Sequence, residues 1–411
     1  MGNQKLKIAY IAPEIPALSA TFVYNEILEL EKRGATIFPI SIREPSNLAK
    51  EPGLENLIKK TLVLYNQSIF FWIWALFKSL VSSPFRTIKT FIVALQDALK
   101  VGLISRVGCG LLYRFFAGVT ASHILIENRC THMHAHFSHV PTDISMYASM
   151  ISGIPFSFTS HANDLFERGW LLKEKIDRCK FAVTISEFNK KFLQKQGAMS
   201  GKINVIHCGV FTELFDLPKT NVKQKIPIIG SLGRFVEKKG FDVLIKASER
   251  LKEEGIPFRL EIAGSGPLKE SFKQLIEESN LTGEISLIGP LQHDEVAPWL
   301  KRLDVFALAA KQDSNNDMDG IPVVLMEAMI SGVPVVSTNL SGIPELVDDG
   351  QTGTLAEPNN PVSFAHAIKR ILSDSCWQKT LIEQAFKKVK SQYDISTNVG
   401  ILFKRFEGAL L

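Results

Sequence analysis

Short apolar runs, each closing on a polar or glycine-rich loop and followed by a stretch with helical spacing, recur along most of this chain. Leu6–Ala12 reads as a buried strand, Pro13–Ala20 as its loop, Thr21–Arg33 as a helix, and Thr36–Ile42, after a turn at Gly34, as a second strand. Strand, loop, helix, strand is the opening of a parallel α/β domain, in which ligands meet the carboxyl ends of the strands. The alternation continues through predicted strands at Pro155–Thr159, Phe181–Ile185 and Lys202–His207. A linker is expected at Phe215–Lys225, where Pro218 and mixed charges replace the apolar pattern. A second α/β unit then follows, with strands predicted at Pro227–Leu232, Phe258–Ala263, Ile285–Ile288, Asp304–Leu308 and Pro334–Thr338.

One region departs from this pattern. Between about Thr61 and Phe116 the chain carries the apolar run Ile69–Phe77, too short to span a bilayer, and then Phe85, Ile88, Ile92, Leu95 and Leu99 at helical spacing. Lys78, Arg86, Lys89, Lys100, Arg106 and Arg114 fall among them, opposed only by Asp97. Two readings fit an insertion of basic, aromatic, amphipathic helices: they lie in a membrane interface, or they cover the sheet of the first domain.

Length and composition narrow the class. A chain of 411 residues with 45% apolar and 22% charged positions is globular and long enough for two domains. A net charge of +5 is too mild to argue for nucleic acid but suits anionic ligands or an anionic membrane surface where the cations cluster. The five cysteines are scattered without a C-x-x-C pair, which fits reduced thiols in the cytoplasm, and Leu6–Ala12 reads as a strand more readily than as a signal sequence.

Candidate chemistry lies at the strand ends. Asp319-Gly320-Ile321-Pro322 leads into an apolar helix that carries Glu327, a carboxylate that needs a partner there, either a core ion pair or the hydroxyl groups of a ligand. The loop Gly233-Arg234-Phe-Val-Glu-Lys-Lys239-Gly240 places glycines around cations at a strand-to-helix turn, which suits a phosphate group. Gly264-Ser-Gly266-Pro267 is a further glycine-rich strand end. In the first half, Ser19 and Thr21 either donate to an anion or cap the following helix. His132, His134 and His136 would share one face of a strand, and His136, nearest its end, is the one expected at the crevice; no metal is assigned to them, because no ligand motif accompanies them. His161 follows a buried strand directly and is placed in the crevice by that geometry.

These residues together resemble the retaining, nucleotide-sugar-dependent glycosyltransferases of family 4. Gly233-Arg234, Lys239-Gly240, Ala263–Pro267, Asp319–Glu327 and Ser341–Glu345 occur in that family's order, and His134-Ala-His136-Phe, Ile154–Thr159 and His161-Ala resemble its bacterial exopolysaccharide branch, colanic acid transferases included. The resemblance implies the GT-B fold, α/β with two Rossmann-like domains facing across a cleft: residues 1–217 for the acceptor, with the insertion at about 61–116, residues 218–397 for the nucleotide sugar, and 398–411 returning to the first domain. By the same likeness Arg234 and Lys239 would hold the diphosphate, Glu327 the ribose, Asp319 and His161 the donor sugar, and Gly233, Gly264, Gly266, Gly320, Ile321 and Pro322 the rest of the donor. Ser19, Thr21 and His136 would lie on the acceptor side.

The implied reaction moves a sugar from a UDP- or GDP-sugar to a saccharide, lipid-linked, at the inner face of the cytoplasmic membrane, with no cofactor or metal and no nucleic acid partner. A catalytically silent scaffold and a sugar-nucleotide epimerase are the alternatives. Two positions depart from the family pattern: Asp319 stands where Glu is usual, and Ala20 where the related branch carries Glu, so donor and acceptor choice do not carry over.

Overall fold

The computed structural model describes residues 6–17, 20–46, 48, 53–215 and 226–410. Ser19 and all but the first residue of the expected linker lie outside them. The chain forms two compact units, one comprising Met1–Ile185, Asn189–Ile206 and Val399–Leu411, the other Ser186–Phe188 and His207–Asn398.

The first unit is built on a parallel sheet of seven strands: β1 (Lys7–Ala12), β2 (Thr36–Ser41), β3 (Leu62–Val63), β4 (His132–His136), β5 (Phe156–Ser160), β6 (Phe181–Thr184) and β7 (Ile203–Val205), in the order β3-β2-β1-β4-β5-β6-β7. Parallel strands covered by helices on both faces are buried throughout, and β4 and β5 are buried at every residue. The histidines of β4 are accommodated because β5 sets hydroxyls beside them. His132 Nε2 and His134 Nδ1 lie 2.7 and 2.8 Å from Ser157 Oγ, and His134 Nε2 lies 2.9 Å from Thr159 Oγ1. Phe406, in the C-terminal helix, packs its ring against His132, His134 and Phe181 on this face.

Met133, Ala135, Phe156 and Phe158 point to the other face and join a core with helices Arg106–Glu127 and Val140–Ser152. These two helices cross closely at Gly118, where a Cβ would stand 2.9 Å from that of Tyr147. Helix Arg106–Glu127 is long and apolar enough to cross a membrane, but most of its apolar window is buried in this core.

Helices Ile69–Ser82 and Pro84–Lys100 are packed the other way round. Their inner sides carry Ala75 and Ser79, and Thr87, Thr90, Ala94, Asp97 and Ala98. The outer sides carry Phe70, Ile73, Phe77, Phe85, Ile88 and Ile92. Ala75 and Ala94 join the core of the first unit, with Phe71, Trp72 and Leu76 partly buried against it, so the insertion covers that core while the rest of its apolar side faces out. The single acid of the insertion explains the orientation: Asp97 is fully buried in a two-pronged pair with Arg178, at 2.5 and 2.9 Å, and accepts from the Tyr147 hydroxyl at 3.2 Å. A charge buried with its partner fixes which side of the helix faces in.

The second unit has a six-stranded parallel sheet of β8 (Ile228–Leu232), β9 (Arg259–Ala263), β10 (Ile285–Gly289), β11 (Val305–Ala307), β12 (Val335–Thr338) and β13 (Thr354–Ala356), in the order β10-β9-β8-β11-β12-β13. The short edge strand β13 was not expected from the sequence pattern. In each sheet the winding reverses once, between β1 and β4 in the first and between β8 and β11 in the second. Loops diverge at such a reversal and leave a crevice beyond the strand ends, so these two points are where a ligand would be received.

Candidate functional site

The reversal point of the second sheet collects the cationic loop and the acidic one. β8 and β11 are paired neighbours, Ile229 against Val305 and Gly230 against Phe306. The loop after β8 is held by its own backbone: Gly233 N–H donates to Ala263 O at 3.1 Å, and Phe235 N–H to Ser265 O at 2.8 Å. Phe235 is fully buried against Phe241 and Phe272, which leaves the preceding Arg234 exposed at the strand end. Gly264 has φ +139°, and a Cβ there would stand 1.9 Å from Gly233 O. Only glycine allows the β8 and β9 loops to meet this closely. Gly266 abuts the Phe235 backbone in the same way.

The loop after β8 then makes a single 3₁₀ turn, Glu237–Lys239, and here the charges divide. Lys239 Nζ lies 2.6 Å from Asp319 Oδ2. Lys238, almost completely buried, is held 2.6 Å from Asp317 Oδ2 and 3.8 Å from Asp319 Oδ1. Burial pushes the Asp319 acid up, but Lys239, Lys238 and Arg234 outweigh it and hold the group below the usual carboxylate range. Asp319 is therefore ionised at neutral pH. It does not cap the following helix, whose N-cap is Pro322 with no side-chain bond.

Gly320, Ile321 and Pro322 complete the turn into helix Val323–Ile330. Ile321 is buried, its side chain close against Gly342. Glu327 sits on that helix among buried Leu325, Met326, Ala328 and Met329. The core ion pair that its sequence context allowed is not formed: among the described residues no side chain pairs with it. Burial alone raises its acid to about 7. Glu345, at the end of the Ser341–Glu345 motif, accepts from the Glu187 and Phe188 N–H groups, both at 2.8 Å.

At the reversal point of the first sheet, His136 closes β4 and joins three other groups. Its Nε2 lies 3.0 Å from both Glu26 Oε1 and the Tyr10 hydroxyl, and its Nδ1 lies 3.0 Å from His161 Nε2. With the Nε2 proton donated to Glu26, Nδ1 accepts from His161, which fixes the His161 tautomer. His161 is buried, and burial, followed by His136 and His139, keeps it well below the usual histidine pKa and hence neutral. Its peptide N–H donates to Asp164 Oδ1 at 3.0 Å. Thr21 opens its helix without a side-chain cap bond.

Glu26, His134 and His136 offer ligand atoms within 4.8 Å of one another, the one such group found among the described residues. Both ring nitrogens of His134 are already engaged by hydroxyls, so the arrangement is that of a hydrogen-bonded chain. Sequence reading missed Glu26, which is 110 positions from His136, and Lys238 and Asp317, whose pairing separates Lys238 from Lys239, its neighbour in the candidate site. Helical spacing shows that Glu26 is one turn on from Phe22, but nothing local ties it to β4.

Two Rossmann-like parallel α/β units of this kind define the GT-B fold. The chain superposes on a glycosyltransferase from Rickettsia africae with a TM-score of 0.70 at 20% identity, covering 99% of both chains. It superposes on Anabaena HepE in complex with UDP with a TM-score of 0.74 at 14% identity, covering 98% of this chain and 100% of that one. Residues 214–388 match the family model described as Glycosyl transferases group 1. In sequence the chain is 35% identical over 239 residues to the putative colanic acid biosynthesis glycosyltransferase WcaL of Escherichia coli K12, covering 58% of this chain and 56% of that protein. It is 32% identical over 240 residues to the amylovoran biosynthesis glycosyltransferase AmsK of Erwinia amylovora, covering 57% and 59%. The chain thus spans less than two thirds of the length of these curated relatives.

Proposed function

We propose that this protein is a retaining glycosyltransferase that moves a sugar from a nucleoside diphosphate sugar to a saccharide acceptor during exopolysaccharide synthesis. The observation that carries this reading is the convergence of Arg234, Lys239 and Asp319 at the β8–β11 reversal point, on the matched segment 214–388. A phosphate-sized anion there would meet exposed Arg234 and the Lys239 ammonium, and the donor's hydroxyls would meet Asp319 and Glu327. The relatives named for colanic acid and amylovoran synthesis support the choice of pathway class.

In this reading the acceptor hydroxyl oxygen bonds to the anomeric carbon as the bond to the β-phosphate oxygen breaks. The electron pair leaves with the diphosphate, and the acceptor's proton passes to a leaving-group oxygen on the same face. Charge develops on the phosphate, so Arg234 and Lys239 stabilise the transition state more than the ground state. Charge neutralisation is thereby assigned to side chains, with no resident metal or organic cofactor. A diphosphate needs no general acid to depart, which leaves Asp319 and Glu327 as binding groups. Neutral His161, its tautomer set through His136, is assigned a hydrogen bond to the donor sugar.

The acceptor is assigned as a lipid-linked saccharide at the cytoplasmic face of the membrane, on the strength of the outward apolar helices. A thermal-shift series with UDP, GDP and their common sugars tests the donor assignment, because a ligand bound only by the folded state raises its melting temperature. Stabilisation by one nucleotide series, followed by transfer with the anomeric configuration kept in the NMR spectrum of the product, is the expected result. No response to either series, or an inverted product, would reject it.

A further inference from the structure

The geometry of helices Ile69–Ser82 and Pro84–Lys100 points to a surface that enters the outer layer of an anionic lipid bilayer. Helices at a protein surface in water bury their apolar side. These two fully bury alanine, serine, threonine and one paired aspartate, hold Phe71, Trp72 and Leu76 partly buried against the core, and expose most of their other large apolar side chains. Phe85 is 88% exposed, Phe70 80% and Phe77 69%. At least nine apolar side chains between residues 69 and 104 are more than half exposed. A monomeric soluble protein seldom leaves so many large apolar side chains open on neighbouring helices. Small and polar residues at the helix contacts with bulky apolar residues outside is the pattern of helices surrounded by lipid. At 14 and 17 residues they are too short to span a bilayer and are suited to lying in one leaflet.

Charge selects the occupant. From Ile69 to Arg106 the only acid is Asp97, and it is buried. Lys78, Arg86, Lys89, Lys100 and Arg106 border the apolar side. Lys100 is paired with Glu174 at 2.7 Å and Lys78 loosely with Glu127 at 4.0 Å, while Lys89 and Arg106 have no acid partner among the described residues. Lys78 lies over the Trp74 ring at 4.4 Å, an amphipathic pair of the sort that sits at headgroup depth. A second copy docked on this face would bring the same cations against one another, whereas anionic headgroups neutralise them. The surface deepens the proposed function by bringing the first unit to a lipid-linked acceptor, but it stands on geometry independent of the donor reading.

The test is flotation of the full chain with vesicles of phosphatidylethanolamine and phosphatidylglycerol, against phosphatidylcholine alone. Binding to the anionic vesicles at about 0.1 M salt, falling as salt rises, is expected. Phe77→Asp combined with Ile88→Asp should weaken it more than tenfold while leaving the thermal shift with UDP or GDP unchanged. Lys89→Glu with Arg106→Glu should weaken it about tenfold or more. Phe85→Asp, at the most exposed phenylalanine, carries the test should the double variant not fold. Wild-type protein that ignores anionic vesicles overturns the proposal. So do apolar variants that float like wild type, or a wild-type dimer that fails to float and that Phe77→Asp with Ile88→Asp converts to monomer. Failure of nucleotide binding with flotation intact would count against the donor reading alone.

Discussion

Asp319 holds the ammonium of Lys239 at 2.6 Å across the β8–β11 reversal point, linking residues 80 positions apart. Arg234, exposed beside the pair, forms no ion pair among the described residues. Arg234→Ala should therefore cut kcat/KM by about 10²–10³, the usual cost of removing one preorganised donor to developing charge. Its melting temperature in the absence of ligand should stay within about a degree of wild type, since exposed side chains carry little stability. Steady-state kinetics and a thermal melt check both halves.

Glu327 predicts a pH signature. Its acid is raised to about 7 by burial, so the folded state holds this proton more tightly than the unfolded chain does. Wild type accordingly loses stability relative to a Glu327→Gln variant as pH rises from the unfolded value toward 7, and the difference is constant above it. Between pH 5.5 and 8.5 the variant should gain about 2 kcal/mol on wild type by urea unfolding. Nucleotide affinity should move oppositely at alkaline pH, with the variant binding more weakly, because the proposed function makes the ionised carboxylate the acceptor for the ribose hydroxyls. A variant that gains no stability at high pH would show that the carboxylate is not desolvated.

Asp97 anchors the inverted helix. Replacing it with Ala leaves Arg178 without its partner and removes an acceptor from Tyr147. Such a loss should cost about 3–5 kcal/mol in denaturant unfolding. Loss of the partner charge at Arg178→Ala should cost a similar amount, and the double variant less than the sum, which a double-mutant cycle measures.

Glu26 is linked to His161 through His136. Glu26→Leu removes the carboxylate that accepts from His136 Nε2 and so fixes the imidazole tautomers. Turnover should fall about tenfold with little change in donor KM, as for partners that orient an imidazole. The ¹⁵N shifts of His136 and His161 should change together, a response that loss of packing alone would not give.

How much of this was legible beforehand differs by element. The strands β1, β2, β5, β6, β8, β9 and β12 lie within a few residues of their apolar runs, because a strand buried on both faces is a continuous apolar run. The edge strand β13 has only three residues and one partner, β12, so the local pattern held no signal. At the site, Arg234, Lys239, Asp319 and Glu327 were visible as loop and helix residues of unusual chemistry. The chain Glu26–His136–His161 was not, since its members come from three separate elements.

The sequence by itself determined two parallel α/β units and the residue types at their strand ends, because burial periodicity and loop chemistry are local properties. It also determined that the insertion has an apolar side and a basic border. Only the tertiary structure decided which side faces out: Asp97 needs Arg178, 81 positions away, and that pairing turns the apolar side to the surface. It likewise decided that Lys239 meets Asp319 while Lys238 is spent on Asp317, because two adjacent lysines on one turn are distinguished only by what a distant loop brings to them.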